Sequence, residues 1–305
     1  MVKLLIIADD FTEALDTGAQ LTKRGVKARI VANLDYNLTR AESDALVLDA
    51  ETRQLSKEES GAAVRRLVDS AKKAGVSPVY MKTHPERDPT VQRGDGEIQF
   101  YDTETSLADK LKLKGKAPKR PKLPPSLFLV CGSVDPAIRQ QIKEAERCKF
   151  KRICLAVRQK LDPDWLASEG CAQAAARWVA DATTRRNMIL DANDEAAEKA
   201  TRQFASENGL DDEQVQTRVT SALAGVTKEL LDCGLEATLM CVGGDTVKAL
   251  MAAVGASVLT LICELEEGVT LSSLIYRKKT YYIIEEPDGF DEPDLLCRLA
   301  DLLGA

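Results

Sequence analysis

The sequence holds a single histidine, His84, among 305 residues. That excludes a multi-histidine metal centre. It also argues against Ser-His-Asp hydrolysis, because His84 lies in an irregular, Pro-containing stretch. The eight cysteines include no CxxC pair, so the usual zinc and dithiol-exchange motifs are missing. Cys131, Cys241 and Cys263 fall in strand-like apolar runs. The thiols are therefore expected to be buried and reduced in a cytoplasmic protein, not a disulfide framework. No apolar stretch reaches membrane-spanning length, and the N-terminus reads as a strand rather than a signal peptide, so no membrane partner is expected. A net charge of −6 argues against general nucleic-acid binding.

What is present is an ordinary globular composition with alternating strand and helix patterns. The apolar runs Leu4 to Ala8, Ala28 to Ala32, Ala45 to Asp49 and Val79 to Lys82 read as strands. Between them, Glu13 to Lys23 (with Thr12 as its cap) and Ser56 to Ala74 read as helices. Regularity fails from His84 to Tyr101. Lys110 to Lys122 is then basic and proline-rich, which reads as a linker or as an anion-attracting arm. A second α/β pattern follows: strands at Leu127–Cys131, Arg152–Val157, Met188–Asp191, Thr238–Val242, Val258–Cys263 and Thr280–Ile284. Its helices are expected at Asp135–Arg147, Trp165–Ala182, Glu195–Glu207, Asp212–Cys233, Asp245–Val254 and from about Pro293 to Leu303. The expected architecture is two α/β domains with mostly parallel sheets, residues 1–108 and 126–305, joined by a basic linker over 109–125.

Chemistry-bearing residues cluster at the ends of the expected strands. Asp9 and Asp10 follow the first, where open α/β sheets place ligands. Buried aspartates need a cation, a hydroxyl or a basic partner to offset desolvation. Arg53 follows the Asp49 strand, and Lys82-Thr83 ends the next. This set suits either an acidic, hydroxylated substrate or an internal ion-pair cluster. In the second half, Gly243-Gly244-Asp245-Thr246 joins a strand to a helix start. It reads as a phosphate cradle, or as a tight turn with an Asp/Thr cap. Cys131-Gly132-Ser133 and Asp288-Gly289-Phe290 are similar turns, and parallel strands would bring all three to one sheet edge.

In order along the chain, Ala8-Asp9-Asp10-Phe11-Thr12, Arg53, Cys131-Gly132-Ser133, Gly243-Gly244-Asp245-Thr246, the Glu264/Gly268 turn and Asp288-Gly289-Phe290 resemble the motifs of the four-carbon acid sugar kinases. The resemblance implies an N-terminal domain for the acid sugar and a C-terminal domain for ATP, with Mg²⁺. The small sugar-acid substrate would be held by Asp10, Arg53, Lys82 and Thr83, with Asp9 and Asp10 catalytic. ATP would be held by Ser133, Gly243, Gly244, Asp245, Thr246 and Gly289. A homo-oligomer is left open. The chain also departs from the family pattern. Glu13 replaces a glycine, and Lys82-Thr83-His84-Pro85 replaces a Lys-x-Asp-Ser-like run unless a shifted register recruits Asp88, Thr90, Arg93 and Gly94. A Pro-Ala-Phe-Pro-like segment is missing, and Glu285-Glu286 stands where threonine and lysine are usual. The expected function is an ATP-dependent sugar-acid kinase. The alternative is a non-catalytic relative that binds nucleotide or sugar acid, or serves as a subunit.

Overall fold

The computed structural model describes residues 2, 4–33, 36–40, 42–53, 55–76, 79–82, 98–101, 115, 119–184, 186–193, 197–266, 268–286 and 292–304. Strand β1 (Leu4–Ala8) is buried throughout, as an uninterrupted apolar run in a covered parallel sheet should be. Helix α1 spans Phe11–Lys23 and is capped by Asp10, not by Thr12. Asp10 has extended backbone angles and accepts from Glu13 N at 2.8 Å, so the helix starts one residue before Thr12. Strands β2 (Ala28–Val31) and β3 (Ala45–Asp49) follow. Helix α2 (Lys57–Lys73) opens on a reciprocal cap between Ser56 and Glu59. Strands β4 (Val79–Lys82) and β5 (Ile98–Tyr101) complete a parallel array in the order β5-β4-β1-β3-β2.

From the adjacent pair β1 and β3, the crossovers step in opposite directions: α1 leads to β2 and α2 leads to β4. Right-handed crossovers then require the two helices to cover opposite faces. On one face Val64, Leu67 and Val68 of α2 pack with Leu5, Ile7, Leu46 and Leu48. The C-terminal ends of β1 and β3 are thus a topological switch point, where such sheets bind ligands.

The second array begins with β6 (Leu127–Cys131), α3 (Pro136–Arg147) and β7 (Lys151–Cys154). Two short helices follow, α4 (Val157–Leu161) and α5 (Pro163–Leu166). They take the residues after β7, which ends sooner than the sequence suggests. Helix α6 (Glu169–Thr184) starts only after Ser168 turns back on Trp165 O through both its N–H and its hydroxyl. The single helix expected from Trp165 is therefore two. Strand β8 (Met188–Asp191), helices α7 (Glu198–Glu207) and α8 (Asp212–Asp232), β9 (Thr238–Val242) and α9 (Gly244–Val254) follow.

The chain then runs through β10 (Val258–Glu266), β11 (Val269–Tyr276) and β12 (Lys279–Glu286), and ends in α10 (Leu295–Gly304). It forms two compact units, residues 1–120 with 256–274 and residues 121–255 with 275–305. Residues 256–274 thus belong with the first unit, which a continuous domain over 126–305 did not anticipate. The cause is edge pairing: β10 runs antiparallel to β2, with Val258 opposite Val31. Helix α1 lies so close to β10 that a Cβ on Gly18 would stand 2.3 Å from Leu261 Cδ1. The Glu264/Gly268 turn is the β10–β11 hairpin of this unit. Glu264 accepts from Gly268 N and pairs with Lys23. The second unit's strands are all parallel, in the order β12-β9-β6-β8-β7.

One sequence expectation is overturned outright. Cys148 and Cys297 form a disulfide between the end of α3 and α10. The other six cysteines are thiols outside that bridge. The two partners lie 149 residues apart in the chain, and only packing of α10 beside α3 brings them together.

Candidate active site

In the first unit, the backbone itself places the charged residues. The β1–β3 register sets Ala8 opposite Asp49 and continues past both strands. Ala50 N donates to Ala8 O and Thr52 N to Asp9 O, each at 2.9 Å. This stitching delivers Arg53 to Asp10, with Arg53 Nη1 2.5 Å from Asp10 Oδ2. Hydrogen bonding to that carboxylate, and its charge, hold the Arg53 guanidinium above its usual pKa. Asp9 and Asp49 are buried beside the pair, and Asp49 accepts from Glu51 N. Glu51 has φ 51°, a left-handed conformation that costs a non-glycine residue about 1–2 kcal/mol. On the other flank, the register puts Lys82 opposite Ala8. Four of the predicted positions, Asp9, Asp10, Arg53 and Lys82, therefore converge on one switch point. Thr83, and the 84–94 stretch whose register the sequence left open, lie outside the described residues.

In the second unit, β6, β9 and β12 are adjacent and parallel, so the C-terminal ends of these strands share one edge. Gly243 caps α9 with φ 79° and ψ 144°, angles open essentially to glycine alone. The N-cap residue Gly243 has no side chain to cap with, and the alternative Asp/Thr cap is not formed among the described residues. Asp245 is exposed in the first turn. The Thr246 hydroxyl donates to Val242 O at 2.8 Å. The helix N-terminus thus keeps backbone N–H groups for an anion. Gly132 is also closely packed, since a Cβ there would stand 2.9 Å from Leu223 Cδ1 and that side chain would have to shift. Ser133 Oγ accepts from Asp135 N at 3.1 Å, and Asp135 caps α3. Gly289 lies outside the described residues.

A corner that sequence reading missed stands beside Ser133, at the end of β8. Asp191 is buried and pairs with Arg152 at 2.7 Å. Asn193 N donates to Asp191 Oδ1 at 2.8 Å, and buried Lys160 donates through Nζ to Ala192 O at 2.6 Å. Asp191 was visible only as the last residue of a strand, and nothing local marked Asn193 or Lys160.

A family model described as a nucleotide-binding C-terminal domain matches residues 128–285, just over half of the chain. One described as a sugar-binding N-terminal domain matches residues 4–96. The chain belongs to the four-carbon acid sugar kinase family. A D-threonate kinase of Salmonella typhimurium is 35% identical over 63 residues, a match that covers 21% of this chain and 15% of that relative. Two solved structures share the fold. One, from Salmonella typhimurium LT2 and given the working description of a tRNA synthase, has a TM-score of 0.72 at 15% identity over 98% of this chain and 99% of the other. The second, a Haemophilus influenzae protein, has a TM-score of 0.69 at 14% identity over 99% and 100%. The family's sugar-binding and nucleotide-binding models fall on the halves that carry the Asp10–Arg53 pair and the glycine turns. Among the described residues no helix is long and apolar enough to cross a membrane.

Proposed function

We propose that this chain is an ATP-dependent kinase that phosphorylates a hydroxyl of a four-carbon sugar acid. The observation that carries the reading is the Asp10–Arg53 pair, held at a topological switch point by the Thr52–Asp9 backbone bond. Arg53 and Lys82 would bind the substrate carboxylate, for which a guanidinium offers two parallel N–H donors. Asp10, or buried Asp9 beside it, would accept the proton of the attacking hydroxyl. The N–H groups at Gly243–Gly244, with Ser133, would position the nucleotide. Catalysis would then come mainly from positioning and charge stabilisation.

Mg²⁺ supplies neutralisation of phosphate charge when bound. Among the described residues no group of three acidic, histidine or cysteine side chains forms a metal cage. That suits an ion carried largely by the phosphates, with Asp9 or Asp10 as its protein ligand.

Buried Glu285, at the end of β12, favours a second reading as a non-catalytic binder. Its partner in register is Cys241, whose thiol is pushed up to about 12 by burial and then by the Glu285 charge. An acid at this edge opposes phosphate binding. The deciding experiment is ATP-dependent phosphate transfer to a panel of four-carbon sugar acids. The kinase reading expects turnover that falls ~10²–10⁴-fold in Asp10→Asn. Nucleotide binding without turnover on any acid of the panel would establish the second reading instead.

A further inference from the structure

The turn after β6 is held from outside by one side chain. Asn193 Nδ2 donates to Gly132 O at 2.5 Å and to Ser133 O at 2.9 Å. Both partners are acceptors only, which fixes the amide with its NH₂ toward the turn. In a trans peptide the C=O and the following N–H point in opposite directions. Two successive carbonyls turned toward Asn193 therefore turn the N–H groups of Ser133 and Val134 away from it. Aligned consecutive peptide N–H groups of this kind form an anion-attracting surface. Among the described residues no acceptor pairs with either N–H, and Val134 is 63% exposed.

Asn193 is itself anchored. Its N–H bonds Asp191 Oδ1, while Asp191 Oδ2 accepts from Arg152 Nε at 3.0 Å. Ala192 N donates to Cys131 O, and Lys160 holds Ala192 O. The clamp thus rests on buried, charge-assisted contacts rather than on a loop tip. It also sits at the second unit's own switch point. From adjacent β6 and β8, the chain leaves toward β7 on one side and β9 on the other.

We propose that Asn193 is a positioning residue of the nucleotide site: its amide orients the Gly132–Ser133 and Ser133–Val134 peptides so that their N–H groups meet a nucleotide phosphate. This rests on the nucleotide-binding role proposed above for Ser133. The side chain touches the turn and not the ligand.

The test compares wild type with Asn193→Asp, which keeps shape and backbone bond but replaces both donors with acceptors, and with Asn193→Ala. Backbone ¹⁵N relaxation without nucleotide reads the turn directly. Order parameters at Ser133 and Val134 should fall in both variants, from the rigid range near ~0.85 toward the flexible range below ~0.6. The thermal midpoint should stay near wild type in Asn193→Ala. In the nucleotide arm, ADP affinity should fall about tenfold while the KM for the sugar acid is unchanged, a split that general destabilisation would not produce. Unchanged order parameters at 133–134 in both variants overturn the proposal, whatever nucleotide does. Lowered order parameters with no ADP binding to wild type leave the clamp standing and overturn the nucleotide role of the turn.

Discussion

Arg53 and Asp10 meet side chain to side chain although 43 residues separate them. Arg53 remains 60% exposed and Asp10 19%. An ion pair that open to water contributes only ~0–1 kcal/mol to stability. Arg53→Ala should therefore shift the thermal midpoint little. Binding of a four-carbon sugar acid, measured by calorimetry, should fall at least tenfold. A large loss of stability with intact binding would make the pair a structural device.

The cap that Asp10 provides to α1 and the catalytic role proposed for it can be separated by substitution. Asp10→Asn keeps a side-chain oxygen for Glu13 N and should fold like wild type, yet lose turnover. Asp10→Ala also loses the cap of α1 and should cost ~1 kcal/mol more in urea unfolding. Equal stability of the two variants would show that the cap contributes nothing.

Gly243→Ala places a Cβ on a backbone at φ 79° and ψ 144°. Strain of ~1–3 kcal/mol should appear in denaturant unfolding, together with weakened ADP binding. Gly255 at φ 69° has nothing within 4 Å of an added Cβ. Gly255→Ala is the control, with strain but no effect on nucleotide.

The Cys148–Cys297 bond predicts six titratable thiols in the unfolded, unreduced protein and eight after reduction. Reduction, or Cys148→Ser, should lower stability by ~2–4 kcal/mol, because the bond closes a long loop in the unfolded chain. Eight thiols without reductant would contradict the bridge.

Asp232 joins α8 to the end of β11. Burial raises its pKa, but hydrogen bonds from Lys228 and Tyr276 outweigh this and hold the carboxyl below its ordinary value. A depressed carboxyl stabilises the fold above its unfolded pKa and loses that contribution as pH falls toward the folded value. The stability gap between wild type and Asp232→Asn should be full at pH 7 and shrink below about pH 4. A gap independent of pH would remove the electrostatic explanation.

Much of the candidate site's placement was legible because its residues end apolar runs. β1, β3, β6 and β9 are buried along their whole length, and such strands announce themselves by composition. Their C-terminal neighbours Asp10, Arg53, Ser133 and Gly243 follow from counting. The hairpin strand β11 was missed, because Leu271-Ser272-Ser273-Leu274 breaks the two-residue alternation of a strand and spaces its leucines three apart, as a helix would. Asn193 was missed because its value lies in two carbonyls some sixty residues earlier.

The sequence alone determined where β1, β3, β6 and β9 end, which residues follow them and that Gly243 opens the turn after β9, since these depend on local sterics and burial. Only the tertiary structure decided that residues 256–274 join the first unit, that Cys148 meets Cys297, and that Asn193 grips the Ser133 turn. Each of these depends on contact between segments far apart in the chain. Edge pairing and hydrogen-bond direction set such contacts, and neither leaves a periodic trace in the amino-acid order.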